Sequence, residues 1–145
     1  MKKIAIVTLS DFNNYGNRLQ NYALERIITS QGYDVVSLVD FRPNLLKTSV
    51  KTIIKKDGIK FTDRMKKIRR LKNFLDFDKK YVNTFPVNAG EFSSVSDDEY
   101  HCFIVGSDQV WNPDWAKYTY DRMFLRFCSP TKRISYAASF GVDKI

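Results

Sequence analysis

Two short apolar runs with a helical pattern between them constrain the fold of this chain more than any other feature. Residues 3–9 (KIAIVTL) and 33–39 (YDVVSLV) are rich in β-branched residues, as are strands that are buried on both faces. Between them, apolar residues recur every three or four positions over 18–31, which predicts a helix that ends at Gly32 in the left-handed conformation. A strand–helix–strand unit of this length predicts parallel pairing through a right-handed crossover.

Two further strands are predicted later in the chain, at residues 101–106 (HCFIVG) and 133–138 (RISYAA), which makes four core strands in all. The stretch 83–100 contains proline, glycine and several serines, and we expect a surface connection there with one short helix. Neither repeats nor Gly/Ser linkers interrupt the sequence, which indicates a single domain over residues 1–145. The expected fold class is α/β, a Rossmann-like parallel sheet flanked by helices.

The positive charge of the chain is concentrated in one segment. The formal net charge is +8, but residues 47–80 hold 13 Lys and Arg against 4 Asp, a net charge of +9. Apolar residues at helical spacing within this segment predict an amphipathic helix over residues 61–81, with a cationic outer face. A solvated helix face is the simpler interpretation, and nucleic acid is not expected because no aromatic-interleaved motif accompanies the charges. The candidates for contact with an anionic membrane surface are Lys66, Lys67, Arg69 and Arg70.

The sequence carries no signal for export or for a membrane span. No run reaches the roughly 18 to 20 apolar residues that a span needs, and the apolar start of the chain is too short for a signal peptide. A cytoplasmic protein is therefore expected, with the inner face of the membrane as one location. Cys102 and Cys128 form no CxxC pair and stand in apolar surroundings, so both are predicted to be buried thiols and no metal site is expected.

Three loops are candidates for the functional site, because ligands of open parallel sheets bind at the carboxyl ends of the strands. The first, residues 10–20 (SDFNNYGNRLQ), places asparagines and a glycine at a helix N-terminus, where free N–H groups favour an anion or sugar hydroxyls. The same residues are ordinary cap and turn residues, and both interpretations stay open. A single glycine without a following lysine matches neither the dinucleotide fingerprint nor the phosphate loop, so NAD, FAD and ATP are not expected by those routes.

The second loop, residues 106–113 (GSDQVWNP), combines a carboxylate, amides and an indole, side chains that commonly line a sugar subsite. An equally open interpretation is that Asp108 caps the next helix while Trp111 packs beneath it. The third loop, residues 135–141 (SYAASFG), has small residues that permit close approach of a ligand, although packing against the core is the simpler interpretation.

Taken together, these three segments resemble the polysaccharide pyruvyl transferase family. NNYGNRLQNYAL, FIVGSDQVWNP and KRISYAASFG stand in the order and spacing of that family, whereas residues 45–100 match nothing specific. The resemblance implies a bacterial enzyme of the two-domain GT-B type, of which this chain would be the N-terminal half. It also implies a function in exopolysaccharide biosynthesis, the transfer of the enolpyruvyl group of phosphoenolpyruvate to a sugar, which forms a pyruvate ketal.

The resemblance also assigns the two substrates to different halves of the enzyme. Such enzymes hold phosphoenolpyruvate mainly through basic residues and a histidine of the C-terminal half, so this chain is expected to supply the acceptor side and to be inactive alone. The charge of the loops agrees, because a trianionic donor needs several convergent cations and Arg18 is the only one in the three loops. The expected partners are a sugar or polysaccharide repeat unit and the C-terminal domain, with no cofactor other than the donor substrate.

The family's motif positions, carried over to this sequence, define a candidate site. Asp108 is the candidate general base for an acceptor hydroxyl, since it is the only acid in the second loop. Two alternatives remain: a GT-B glycosyltransferase half that uses a nucleotide sugar, and a non-catalytic domain that binds a glycan or an anionic surface. The candidate substrate-binding residues are Asn14, Gly16, Asn17, Arg18, Gln20, Ser107, Gln109, Trp111, Asn112, Ser139 and Gly141.

Overall fold

Five parallel strands form one sheet at the centre of the molecule. A computed structural model describes residues 1–9, 11–39, 44–55, 57–87, 91–106, 109–116 and 119–143. The strand order is β3-β2-β1-β4-β5, and helices flank the sheet, which confirms the predicted Rossmann-like α/β class. The strands are β1 (Lys3–Val7), β2 (Asp34–Val39), β3 (Thr84–Pro86), β4 (Cys102–Gly106) and β5 (Arg133–Tyr136).

The sheet has one strand more than the sequence predicted. β3 lies in the stretch that we expected to be a surface connection, and it is only three residues long. Its pairing with β2 includes Val39 opposite Pro86. Proline lacks the N–H that a central strand would need, and it is tolerated here because β3 is at the edge of the sheet.

Five α-helices connect the strands in the described part of the chain, and only one of them has the bounds that the sequence predicted. α1 begins at Tyr15, three residues earlier than predicted, and Gly32 follows it with a φ of 85°, which confirms the left-handed C-terminal glycine. No bounds were predicted for α2, α4 and α5, whereas α3 has the predicted bounds. The helices are α1 (Tyr15–Ser30), α2 (Leu45–Ile54), α3 (Phe61–Tyr81), α4 (Pro113–Ala116) and α5 (Tyr120–Met123).

The two faces of the sheet are covered by different parts of the chain. Ile4 and Ile6 of β1 pack with Leu24 and Ile28 of α1 on one face. The alternate residues of β1 pack on the other face against residues of the segments 91–100 and 119–128. The strand order reverses between β1 and β4, and this switch point is where open α/β sheets form a ligand crevice.

A buried polar cluster fixes α1 to the β2 side of the sheet. The Ser37 hydroxyl of β2 donates to Asn21 Oδ1 of α1 at 3.1 Å. The Glu25 carboxylate accepts from the Asn83 N–H at 2.9 Å, and Asn83 immediately precedes β3. Burial raises the pKa of Glu25 above its ordinary value, although the hydrogen bonds from Asn83 and Ser37 oppose this shift.

Both cysteines are free and buried, as predicted. Burial raises the pKa of the Cys102 and Cys128 thiols, which disfavours their reactive thiolate forms. Among the helices in the described part of the chain, none has the length and apolar character needed to cross a membrane.

Candidate functional site

The three candidate loops start from neighbouring strands at one edge of the sheet. Val7 of β1 pairs with Val105 of β4, and Gly106 of β4 pairs with Tyr136 of β5. The carboxyl ends of β1, β4 and β5 therefore lie side by side, next to the point where the strand order reverses. Two of the predicted site residues, Ser107 and Asp108, lie outside the described residues.

In the first loop, asparagine and aspartate side chains organise the start of α1. The Asp11 carboxylate accepts from the N–H groups of Asn13 and Asn14 at 3.1 and 3.0 Å. Asn14 Oδ1 in turn accepts from the N–H groups of Gly16 and Asn17 at 2.8 and 3.4 Å. Asn14 is thus the N-cap of α1. A Cβ at Gly16 would lie 3.0 Å from Asn14 Oδ1, so glycine gives this cap room.

Arg18 lies in the interior, between α1 and α3. It is only 3% exposed, and its Nε is 3.0 Å from Asp78 Oδ1 of α3. Its guanidinium also covers the Phe12 ring, 4.7 Å from the ring centroid. Arg18 therefore joins the first loop, α1 and α3, which is a positioning role. Of its predicted neighbours, Asn17 is also buried and Gln20 is half-buried.

The face of α3 that meets the first loop was not predicted as part of the site. Phe74 is buried, stacks on Tyr15 at 4.4 Å and meets the edge of Phe12 at 6.2 Å. Arg70 donates to the Asn13 carbonyl and covers the Tyr15 ring at 5.6 Å. The spacing of Arg70, Phe74 and Asp78 was the available signal, because residues four apart share one helix face.

The second and third loops are joined through Ser139. Its hydroxyl oxygen accepts from the Gln109 N–H at 3.0 Å, and its carbonyl accepts from the Trp111 N–H at 3.1 Å. Gln109 and Gly141 both have positive φ values, 59° and 65°. A Cβ at Gly141 would lie 2.3 Å from Gln109 Cγ, so this position needs glycine for contact as well as conformation. The structure thus brings Gln109, Ser139 and Gly141 together.

Trp111 and Asn112 attach the second loop to the segment that follows it. Trp111 Nε1 donates to the Met123 carbonyl at 2.8 Å, and its ring stacks on Phe124 at 5.3 Å. Trp111 remains half-buried. Asn112 is buried, and its Oδ1 accepts from the Asp114 N–H at 2.9 Å, at the start of α4. Asn112 therefore acts as a cap at the start of α4, a role that the sequence analysis had considered for Asp108.

This edge of the sheet is suited to hydrogen bonding with a polar, uncharged ligand. Asn14 is exposed, whereas Gln109 and Ser139 are half-buried, and their amide and hydroxyl groups offer donors and acceptors. Half-buried Trp111 adds an aromatic surface. Arg70, from α3, is the exposed cation that the fold brings to the first loop. Within the described ranges, no three His, Cys, Asp or Glu residues are grouped in a way that could hold a metal ion.

One comparison with known proteins gave a match. The family described as polysaccharide pyruvyl transferase matches the chain over residues 14–145. No curated protein and no solved structure gave a match. The matched segment contains α1, all strands after β1 and the second and third loops. On this match, which covers nearly the whole chain, the protein belongs to the polysaccharide pyruvyl transferase family.

Proposed function

We propose that this chain is the acceptor-binding half of an enzyme that transfers a pyruvyl group from phosphoenolpyruvate to a sugar of a bacterial cell-surface polysaccharide. The observation that carries the proposal is the convergence of the three motif segments at the carboxyl ends of β1, β4 and β5. That edge adjoins the switch point of the sheet, where a ligand of this fold class binds.

The reaction requires two hydroxyl groups of one sugar and releases phosphate. The methylene carbon of phosphoenolpyruvate takes up a proton, and its neighbouring carbon forms bonds to both sugar oxygens while the bond to the phosphate oxygen breaks. One hydroxyl proton balances the new methyl group and the other leaves with phosphate. A base that accepts a hydroxyl proton and groups that orient the two hydroxyls are therefore what an acceptor half must supply.

Side chains of the three loops match these requirements. The side chains of Asn14 and Ser139 accept hydrogen bonds from neighbouring loop N–H groups, and the Gln109 side chain lies against Gly141, which preorganises the polar groups of the edge. We assign Asp108 as the general base, because it is the second residue after β4 in the sequence and the only acid of the second loop. Arg18 positions the first loop, because its ion pair with Asp78 holds α1 against α3.

Ligand-induced stabilisation tests the division of substrates between two halves. We expect the melting temperature of the 145-residue chain to rise with acceptor sugars, because a ligand at 100 times its dissociation constant adds about 2.7 kcal/mol. A rise with phosphoenolpyruvate alone would place the donor site in this chain and contradict the proposal. A rise with nucleotide sugars but not with phosphoenolpyruvate or free sugars would favour a glycosyltransferase half.

Substitution of the proposed base tests the reaction itself in the full-length enzyme. We expect Asp108→Asn to lower kcat for ketal formation by about 100-fold or more, with little change in sugar binding, as for loss of a general base. Asp114→Asn is the matched control, because Asp114 is exposed and lies in the same segment. Equal loss of activity in both variants, or full activity of Asp108→Asn, would remove Asp108 from the mechanism.

A further inference from the structure

The apolar stripe of α2 faces outward. None of its residues is buried, and Leu46 is 78% exposed while Val50 is 57% exposed. Ile53 and Ile54 continue the same stripe and are also exposed. An amphipathic helix of a globular protein normally turns this stripe to the core, so α2 presents an apolar surface to its surroundings.

α3 extends this apolar surface and adds cations to it. A cleft of about 560 Å³ separates the two helices. Its lining includes Leu45, Met65 and Ile68, so the apolar lining comes from both helices. The cationic side chains that line the cleft stand three residues apart along one flank of α3, and they are Lys66, Arg69 and Lys72.

The two helices form a defined unit rather than a frayed segment. Arg64 of α3 is buried, and its guanidinium donates to the carbonyl oxygens of Thr52 and Ile59 and to the Asp57 carboxylate. These bonds fix the connection between α2 and α3. Asn44 Oδ1 accepts from the Lys47 N–H at 3.0 Å and caps the start of α2. The outward stripe is therefore held in place by buried and capping contacts.

The cleft and the first loop use opposite faces of α3. Arg70, Phe74 and Asp78 contact the first loop and Arg18, whereas most residues that line the cleft lie on the other side of the helix. Lys66, four residues before Arg70, lies at the border between the two faces. Arg70, one of the cations predicted to meet a membrane, thus belongs to the first-loop face. Lys67 does not line the cleft either.

We propose that the α2–α3 cleft surface docks on an anionic lipid bilayer. An apolar stripe bordered by Lys and Arg is the arrangement that binds at the headgroup and acyl-chain boundary, where apolar side chains insert and cations meet lipid phosphates. A second copy of this chain fits less well, because two surfaces of the same positive charge repel one another. The proposal concerns location at a membrane surface and is independent of the transferase reaction.

Sedimentation with vesicles tests this docking in the 145-residue chain. We expect binding to phosphatidylcholine vesicles that contain one-third phosphatidylglycerol, weaker binding at high salt, and little binding to pure phosphatidylcholine. The variant K66Q/R69Q/K72Q is expected to lose at least about tenfold in affinity. The control variant K2Q/R26Q/K67Q removes three exposed charges outside the cleft, and it is expected to lose clearly less.

The apolar part of the surface has its own matched pair of variants. Val50 on α2 and Ile27 on α1 are both 57% exposed, so neither substitution by serine removes a buried contact. We expect Val50→Ser to weaken vesicle binding several-fold and Ile27→Ser to leave it unchanged, with thermal unfolding of both variants close to that of the parent.

Three results would overturn the proposal. One is the absence of sedimentation with the anionic vesicles. Another is an equal loss of binding in the two charge variants, because net charge rather than the cleft would then account for binding. The third is a chain that does not bind vesicles but self-associates with rising concentration, where Val50→Ser abolishes the self-association. That result would assign the cleft surface to a second copy of the chain.

Discussion

The first and second loops of the candidate site are supported in different ways. The first loop rests on a helix, through the buried Phe74 ring and the ion pair between Arg18 and Asp78. The second loop rests on another loop, through backbone hydrogen bonds to Ser139 and close contact with Gly141. The support of the first loop is therefore part of the folding core, whereas the support of the second is local. Substitutions in the two should differ in how far their effects spread.

The largest effect is expected from Phe74→Ala, which removes the aromatic floor of the first loop. Phe74 is 1% exposed, and truncation of a buried phenylalanine costs about 3 to 5 kcal/mol. Urea denaturation measures the loss. Phe61→Ala is the control on the same helix, because Phe61 is exposed, and its cost should stay within about 0.5 kcal/mol. Similar losses in both variants would contradict the buried role of Phe74.

Asp78→Ala is expected to cost about 3 kcal/mol, because it leaves the buried Arg18 cation without its carboxylate. Arg18→Met should lower the free energy of unfolding less in the Asp78→Ala background than in the parent. The reason is that it removes the buried cation that Asp78→Ala has deprived of its carboxylate. A double-mutant cycle from denaturation curves gives the coupling. Strictly additive losses would show that the ion pair does not hold α1 to α3.

Gly141→Ala probes the local support of the second loop, with Gly32→Ala as its control. Both glycines have positive φ values, but a Cβ at Gly32 meets no atom within 4 Å whereas one at Gly141 overlaps Gln109. We expect a cost of about 1 kcal/mol for Gly32→Ala and about 2 kcal/mol for Gly141→Ala. Acceptor binding should weaken only in Gly141→Ala. Equal effects on stability and binding would contradict the contact with Gln109.

The smallest effect is a difference in pH dependence. Burial raises the pKa of Glu25 above its ordinary value of 4.5, so the folded state binds this proton more tightly than the unfolded state. The resulting contribution of Glu25 to the free energy of unfolding is complete below pH 4.5, and it is lost as the pH rises through the higher pKa of the folded state.

Urea denaturation at a series of pH values measures this linkage. As the pH rises from 4.5, the parent loses stability from the deprotonation of Glu25, whereas glutamine does not titrate. The difference in free energy of unfolding between Glu25→Gln and the parent should therefore change in favour of the variant. Ser139→Ala, on the second-loop side, should differ from the parent by about 1 kcal/mol at every pH. A constant offset for Glu25→Gln would contradict the raised pKa.

Much of the fold could be predicted because its strands and longest helix have clear periodic patterns. The four longer strands are apolar runs, and α3 has its predicted bounds. β3 could not be predicted, since three residues with a proline carry no pattern and their pairing depends on β2 being beside them. α2 carried a signal that was not used, because Leu46, Val50, Ile53 and Ile54 recur at helical spacing. That its apolar stripe faces outward could not be predicted, since this depends on how α2 packs on α3.

The candidate site was predictable where neighbouring strands bring motifs together, and less so where distant side chains meet. The second and third loops were both named as candidates from their motifs, and they meet because they follow adjacent strands. The burial of Arg18 depends on Asp78, which lies on another helix far along the chain. Arg70 contacts the first loop whereas Lys66, Arg69 and Lys72 line the cleft, and only the packing of α3 on α1 decides which cations belong to which surface.

The central place of β1 in the sheet has a consequence for how the site is assembled. β1 pairs with β2, the next strand along the chain, and with β4, which follows only after α2, α3 and β3. During synthesis one edge of β1 therefore waits unpaired while the segment between β2 and β4 is made, and an unpaired edge invites incorrect pairing. The crevice lies beside the β1–β4 pairing, which joins strands that are further apart in the sequence than those of any other pairing in the sheet. A competent site therefore arises late in folding.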